Sequence, residues 1–478
     1  MIHCYKFGVF NIVLDVASGS VHSMDDVAYD VISMYEHTPK TEIKKKVKEK
    51  YKLPCDGDID GIFMEVEDLI KQGKLFSADV FDDIKSSAGR QMIKALCINI
   101  SHECNMICDY CFAGRGRYGT GGLMSLETGK QAIDFLIKHS GGIKNLDVDF
   151  FGGEPLINWG AVKEIVGYAR RVEREAGKNF RFTLTTNGLL IDDEVIAFTN
   201  EEISNVVLSL DGRPETNDAH RRIAGANVIK QNDALYDKSP FSKGEERLPA
   251  AKGSYNEVLP KIIKLVEDRG GKEYYIRGTF TRDNTDFHRD ALHLADLGFA
   301  GVSLEPVVDA AGSEYELTID DLSWINKQYE LLADEMRIRK KEGGGFIFYH
   351  FILEPAGGPC IHKRITGCGV GTGYLAVSPQ GDLYPCHQLI GEPGFVIGDV
   401  RRGIINKGLR NRFSDMHLLS RSECMECWAK YYCSGGCVAN AYKSTGDLHG
   451  MYGLGCGMFK KRMECAIMLK VAEMEVNY

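Results

Sequence analysis

The stretch His102-Glu103-Cys104-Asn105-Met106-Ile107-Cys108-Asp109-Tyr110-Cys111 carries three thiols in the spacing C-x3-C-x2-C. It follows a short apolar run, Ala95–Ile100, that reads as a β-strand. Three thiolates so close on one loop can hold three irons of a [4Fe–4S] cube and leave the fourth iron open. The loop's place, just past the end of a first strand, is where parallel α/β sheets carry their sites.

Outward from this loop, strand and helix signals alternate. Strand-like runs occur at Ala95–Ile100, Asn145–Phe151, Arg181–Thr186, Val206–Leu210, Tyr274–Phe280 and Gly301–Val307. Helical patterns separate them at Leu126–Lys138, Ala161–Ala176, Asp193–Phe198 and Tyr255–Arg269. Repeated βα units imply a parallel sheet with crossover helices, and six units fall short of the eight of a closed barrel. A polar insertion, roughly 225–253, interrupts the pattern and reads as a surface loop.

Upstream, residues 1–90 read as a small α/β unit. Asn11–Val16 and Ser20–Met24 form a hairpin through Ala17-Ser18-Gly19, and helical patterns follow at 25–36, 41–51 and 58–72. With Lys74–Phe76 as a terminal strand, this predicts a winged helix. Downstream, Asp320–Lys341 is helical and stops at Gly343-Gly344-Gly345, and residues 346–478 are cysteine-rich and loop-rich with one hairpin at Tyr374–Tyr384. The division is therefore 1–90, 91–315, a helical bridge 316–345, and 346–478.

Composition narrows the class. The 478 residues are 44% hydrophobic and carry a net charge of −9, which argues against sequence-independent nucleic-acid binding. No apolar run is long enough to span a membrane, and Asp15 interrupts the only apolar run near the N-terminus, so a cytoplasmic protein without a secretory signal is expected. Fifteen cysteines in a reducing compartment point to metal or redox chemistry over a disulfide framework. Cys4, Cys55, Cys97 and Cys465 stand apart from the clusters and read as small buried hydrophobes.

The three-cysteine loop, with Tyr110 before its last cysteine, resembles that of the radical S-adenosylmethionine (SAM) superfamily. Supporting motifs follow in order: Gly152-Gly153-Glu154-Pro155 after the second strand, Thr185-Thr186-Asn187-Gly188 after the third, Ser209-Leu210-Asp211-Gly212 after the fourth, then Arg221. The resemblance implies a partial (β/α)6 barrel in which Cys104, Cys108 and Cys111 hold the catalytic cluster. It further implies that SAM chelates the open iron and yields a 5′-deoxyadenosyl radical on one-electron reduction. Tyr110, Gly152, Gly153, Glu154, Pro155, Thr186, Asn187, Ser209, Asp211 and Arg221 are its expected SAM-site residues, with the Glu154 carboxylate taking the SAM ammonium.

A second constellation runs Cys368-x12-Gly381-x4-Cys386, then Cys424-x2-Cys427-x5-Cys433-x3-Cys437, then Cys456. It resembles the seven-cysteine SPASM pattern, which implies two auxiliary [4Fe–4S] clusters and three in all. By that resemblance Cys424, Cys427, Cys433 and Cys456 ligate the outer cluster, and Cys368, Cys386 and Cys437 the inner one. Cys360 or a substrate thiolate completes the inner set. Structural zinc on four cysteines is the simpler alternative for the C-x2-C pair.

Phe10–Met24 with its following helices resembles the PqqD-like peptide-recognition element of enzymes that modify ribosomal peptides. Gly114–Met124, Tyr274–Arg282 and Gly373–Gln388 resemble maturases of cysteine-rich SCIFF-type peptides. The resemblance implies thioether formation between a cysteine sulfur and an acceptor carbon (a sactipeptide or ranthipeptide product). The partners would be a cysteine-rich precursor whose leader binds the N-terminal unit, and a reductase, flavodoxin or ferredoxin as electron donor. The alternatives are a sulfatase-maturase-like oxidation of Cys or Ser to formylglycine, and a zinc-stapled peptide-binding scaffold. Formylglycine-forming relatives carry Asp after the cysteine equivalent to Cys386, where this chain has His387, a candidate base.

Overall fold

The computed structural model describes residues 1–79, 92–119, 121–224, 252–308, 312–353 and 361–476. The chain opens with an antiparallel meander of β1 (Ile2–Phe7), β2 (Phe10–Asp15) and β3 (Val21–Met24), in which β2 is central. Helices α1 (Asp26–Met34), α2 (Lys40–Tyr51) and α3 (Gly57–Lys71) follow. Asp25 caps α1 by accepting the Ala28 N–H at 2.8 Å. The expected strand at Lys74–Phe76 does not form. Gly73 (φ +66°) closes α3, and the Lys74 N–H is spent on the Leu69 carbonyl, so the backbone turns away from the sheet. Its place in the meander is taken by β1, which the sequence pattern did not mark.

Alternation along β2 explains how this unit sits. Phe10, Ile12 and Leu14 enter the main core, whereas Val13 packs with Ile32, Val66 and Leu75 beneath the helices. The outer face of the sheet rests on the C-terminal region. The His3 ring stacks on Trp428 with centroids 3.8 Å apart, His3 Nε2 lies 3.0 Å from Glu464, and the Tyr5 hydroxyl donates to the Glu464 carbonyl at 2.9 Å. Lys430 pairs with Asp79 at 2.8 Å.

Six parallel strands make the central sheet: β4 (Ala95–Ser101), β5 (Asn145–Gly152), β6 (Asn179–Thr186), β7 (Asn205–Ser209), β8 (Tyr274–Phe280) and β9 (Gly301–Pro306). They match the six expected runs to within two residues at either end. The connecting helices are α4 (Leu126–His139), α5 (Trp159–Glu173), α6 (Asp193–Glu202), α7 (Pro214–His220), α8 (Tyr255–Asp268), α9 (Phe287–Asp296) and α10 (Leu322–Lys341). The sheet does not close, because β9 pairs with β10 (Ile347–Phe348) while β4 pairs with β11 (Tyr374–Val377). Beyond β11 the sheet runs on through β12 (Asp382–Tyr384), β13 (Gly398–Asp399) and β14 (Gly403–Ile404). The C-terminal region is thus less loop-rich than expected, since it also ends in a long helix, Gly453–Val476. That helix carries its buried side chains without a clear stripe, which hid it from periodicity. No helix among the described residues is long and apolar enough to cross a membrane. The insertion lies outside the described residues over 225–251. Of the four isolated cysteines, Cys97 and Cys465 are buried and Cys4 half-buried, but Cys55 is exposed just ahead of α3.

One carboxylate inside the sheet has a pH signature. Burial, with Asp147 adding, pushes Asp149 on β5 up to about 6. The folded chain therefore holds its proton where the unfolded chain has lost it, and stability falls as pH rises from about 4 to 6. Asp149→Asn is expected to unfold at the same midpoint as the parent near pH 4 and to gain roughly 2–3 kcal/mol over it by pH 7. Parallel denaturant curves at the two ends of that range check this, and a pH-independent difference would contradict it.

Candidate active site

The loops after β4 to β9 converge on a cavity of about 410 Å³ whose opposite wall is the C-terminal region. On the barrel side, backbone contact builds the site. The Gly153 N–H donates to the Ser101 carbonyl and the Glu154 N–H to the Glu103 carbonyl, both at 2.8 Å. These bonds seat the glycine turn against the cysteine loop. A Cβ on Gly153 would fall 2.3 Å from the Glu103 carbonyl oxygen, and one on Gly116 would fall 2.6 Å from Gly153 Cα. Only glycine permits this approach.

Glu154 is fully buried. Its Oε1 accepts from the Leu156 N–H (3.0 Å) and Thr186 Oγ1 (2.8 Å), and its Oε2 accepts from the Asn187 N–H (2.8 Å). A carboxylate has about four acceptor positions, so one on Oε2 is left for a further donor. Burial raises its pKa while those bonds oppose the rise. Asn187 also reaches the cysteine loop, donating to Asn105 Oδ1 at 2.8 Å.

Behind the wall, the Asp211 carboxylate accepts from the Tyr110 hydroxyl and from the Thr279 N–H at 3.0 Å. Arg221 Nη1 donates to the Tyr110 oxygen at 3.2 Å and lies 3.9 Å from Asp211. Asp211 and Pro155 do not line the cavity, whereas Tyr110, Gly152, Gly153, Glu154, Thr186, Asn187, Ser209 and Arg221 do. Asp211 acts on the site through Tyr110 and Arg221. A strap after α7, which the sequence reading did not single out, clamps the cysteine loop. Ile107 donates to the Arg222 carbonyl (2.8 Å), Met106 bridges Ile223, and Arg222 pairs with Asp109 at 2.5 Å.

Cys104, Cys108 and Cys111 all line the cavity. Burial pushes Cys108 up to about 12, against the pull of the Arg221 charge, and raises Cys104 and Cys111 as well. These thiols become thiolates only beside a cationic partner, as metal ligands do. Among the described residues no three His, Cys, Asp or Glu side chains converge tightly enough for a single metal ion. A cluster asks for something else, thiols that surround a volume with one iron to each.

The opposite wall presents His387, Cys433, Cys437, Cys456, Asn440 and Arg462. Its thiols fall into two groups by mutual influence. Burial takes Cys386 to about 12 with Cys437 and Cys368 adding, while burial takes Cys433 to about 12 with Cys456, Cys424 and Cys427 adding. Cys360 lies outside the described residues. His387 Nδ1 is 3.0 Å from the Tyr374 hydroxyl and 3.8 Å from Cys386 Sγ, and burial lowers its pKa to about 4, so the ring is neutral. Buried Asn440 Oδ1, Gln388 Oε1 and Arg462 Nη2 have no protein partner and border the cavity, as expected where a bound molecule supplies one. The donor set and these open polar atoms fit an iron–sulfur cluster and SAM.

Sequence reading missed Arg277, Glu305 and Arg462 on the cavity wall. Burial disfavours ionised Glu305, but His350, Arg277 and Arg462 outweigh it and hold the carboxylate at about 2. The available signal was a charged residue amid apolar neighbours in each of β8 and β9.

Residues 98–235 match the profile of the Radical SAM superfamily. The chain is 21% identical over 388 residues to the radical SAM cyclopropyl synthase TigE of Paramaledivibacter caminithermalis, covering 77% of this chain and 73% of that one. It is 23% identical to the subtilosin biosynthesis protein AlbA of Bacillus subtilis, covering 72% and 67%. Among solved structures, anSMEcpe with bound AdoMet and Cp18Cys peptide superposes with a TM-score of 0.62 at 19% identity, over 80% of this chain and 99% of that one. The three-cysteine loop, the glycine turn pinned to it and the profile match over the same strands make residues 98–235 similar to the radical SAM superfamily, whose members use a [4Fe–4S] cluster and SAM.

Proposed function

We propose that the chain is a peptide maturase that joins a cysteine sulfur of a ribosomally made precursor to a carbon of an acceptor residue. One observation carries the reading: a single cavity has the three-cysteine loop on one wall and the second thiol-bearing region on the other. When bound, the cluster and SAM supply a 5′-deoxyadenosyl radical able to take hydrogen from an unactivated carbon. The residues do the positioning. Glu154 offers its free acceptor position to the SAM ammonium, Arg221 faces the SAM carboxylate, and Ser209 borders the same space. Three clusters are assigned, on Cys104, Cys108 and Cys111, on Cys368, Cys386, Cys437 and Cys360, and on Cys424, Cys427, Cys433 and Cys456. His387, next to Cys386, is assigned as the candidate base for a substrate thiol, a role that burial weakens by lowering its proton affinity. AlbA, named for biosynthesis of the bacteriocin subtilosin, and the Cp18Cys peptide bound to anSMEcpe support a peptide substrate.

The test is anaerobic incubation of the iron-loaded enzyme with SAM, dithionite and a short cysteine-rich peptide. Loss of two hydrogens per cross-link, with that cysteine closed to alkylation, is the expected result. A peptide aldehyde would instead indicate formylglycine formation, and zinc in place of iron would indicate a stapled scaffold.

The N-terminal unit is assigned to leader binding by strand addition. Strand addition beside the hairpin that begins at Asn11–Val16 would use an edge strand, and in the order β1-β2-β3 these are β1 and β3. Of the two, β3 belongs to the hairpin and is assigned the leader. The Asp15 N–H to Ser20 carbonyl bond sets the ladder, so Val21 turns its backbone groups to that edge. Val21→Pro should weaken precursor binding at least about tenfold and leave peptide-free SAM cleavage intact. Unchanged affinity would remove β3 as the docking edge.

A further inference from the structure

A basic groove lies on the face of the sheet away from the cavity. Lys138 and His139 close α4, and the Ile93 N–H donates to the His139 carbonyl at 3.0 Å. The helix therefore ends beside the start of β4, whereas the cavity loops follow the strand's end. Arg402, on the turn between β13 and β14, and Lys407 and Arg410, on the helix Lys407–Ser414, complete the groove.

Lys138, Arg402 and Lys407 make no ion pair with a carboxylate among the described residues. Of the carboxylates nearby, Asp134 is engaged with the Tyr168 hydroxyl at 2.7 Å and Asp399 with Arg401 at 3.2 Å, while Asp382 feels the charges of Arg402 and Arg401 without a hydrogen bond to either. The positive field is felt at His139, whose pKa is lowered by burial first and then by Lys138 and Arg410. Helix-end placement accounts for Lys138 and His139. It does not account for cations brought from two other elements to the same groove. In a chain of net charge −9 such a concentration runs against the average.

The groove also touches the auxiliary region. Arg410 donates Nε to the Gly371 carbonyl (3.3 Å) and Nη2 to the Thr372 carbonyl (3.1 Å). These residues belong to the loop that begins at Cys368.

We propose that this groove docks a small acidic electron carrier of the flavodoxin or ferredoxin kind. The proposal rests on the radical chemistry above. Each SAM cleaved consumes one electron: a reduced carrier is oxidised by one electron, the S–C5′ bond breaks, and methionine leaves the adenosyl radical. The partner must be acidic to match the groove. It must also approach from a side that leaves the peptide's cavity free, and this face meets both conditions.

The test uses iron-loaded enzyme and a flavodoxin as probe. The triple variant Lys138→Glu, Arg402→Glu, Lys407→Glu leaves Arg410 to brace its loop. Flavodoxin affinity at low salt should fall at least about tenfold, with its salt dependence largely lost. Flavodoxin-driven 5′-deoxyadenosine formation should fall with it, while dithionite-driven formation stays at the parent rate. The single variant Lys407→Glu, on an exposed helix face, should show the same trend in smaller degree and guards against misfolding of the triple. Unchanged flavodoxin affinity and rate would overturn the proposal, and so would loss of precursor affinity alone, which would assign the groove to the peptide. Failure of the parent to cleave SAM with dithionite would strike the proposed function instead, and the affinity measurement would still judge the groove.

Discussion

Replacing Cys104, Cys108 and Cys111 together by alanine is expected to abolish reductive SAM cleavage and, with the three clusters proposed above, to leave about eight of about twelve irons in the chain. The loop that bears these residues is held from three sides: by the glycine turn, by Asn187 through Asn105, and by the strap at Arg222 and Ile223. Because those contacts are backbone and amide bonds, the fold should survive the substitution and only the cluster should go. The C-terminal thiols, of which Cys433, Cys437 and Cys456 reach the far wall, share no residue with this loop. Iron and sulfide analysis with 5′-deoxyadenosine quantification checks both halves. Continued SAM cleavage by the triple variant would remove the cluster assignment.

Gly153→Ala is expected to reduce SAM cleavage at least about 100-fold, since displacement of about an ångström at a reacting centre costs that much. The added methyl meets the Glu103 carbonyl oxygen at 2.3 Å, its carbon at 2.7 Å and the Gly116 carbonyl oxygen at 3.1 Å. All three are backbone atoms, so no rotamer change relieves the clash, and the loop holding Cys104 must shift. Gly160→Ala serves as the control, because a Cβ there meets nothing within 4 Å. Comparable activity in the two variants would show that the close approach at Gly153 is not needed.

Legibility in the sequence followed the range of the forces involved. The six strands were readable because each alternates or runs apolar over five to eight residues between turn signals. The three-cysteine loop and the glycine turn were readable because they are local: spacing alone brings the thiols together. β1 escaped because its partner is the adjacent β2 while its outer face packs on Trp428 and Glu464, more than 400 residues away in sequence. Arg277 and Arg462 escaped for a similar reason. One sits on a strand and the other on the C-terminal helix, and only the cavity brings them to Glu305.

The sequence by itself determined the βα order, the loop that carries Cys104, Cys108 and Cys111, and the ligand chemistry those thiols permit, since all three depend on contacts a few residues long. Only the tertiary structure decided the rest. It decided that β11 pairs with β4 and so brings the auxiliary thiols to the far wall of the same cavity. It also decided that Asp211 touches Tyr110 and Arg221 from behind the wall, and that β2 is the central strand of the first sheet. Each of these depends on which distant surfaces bury one another. That outcome is a property of the packed whole, because buried area and hydrogen-bond satisfaction are settled only when every element is in place.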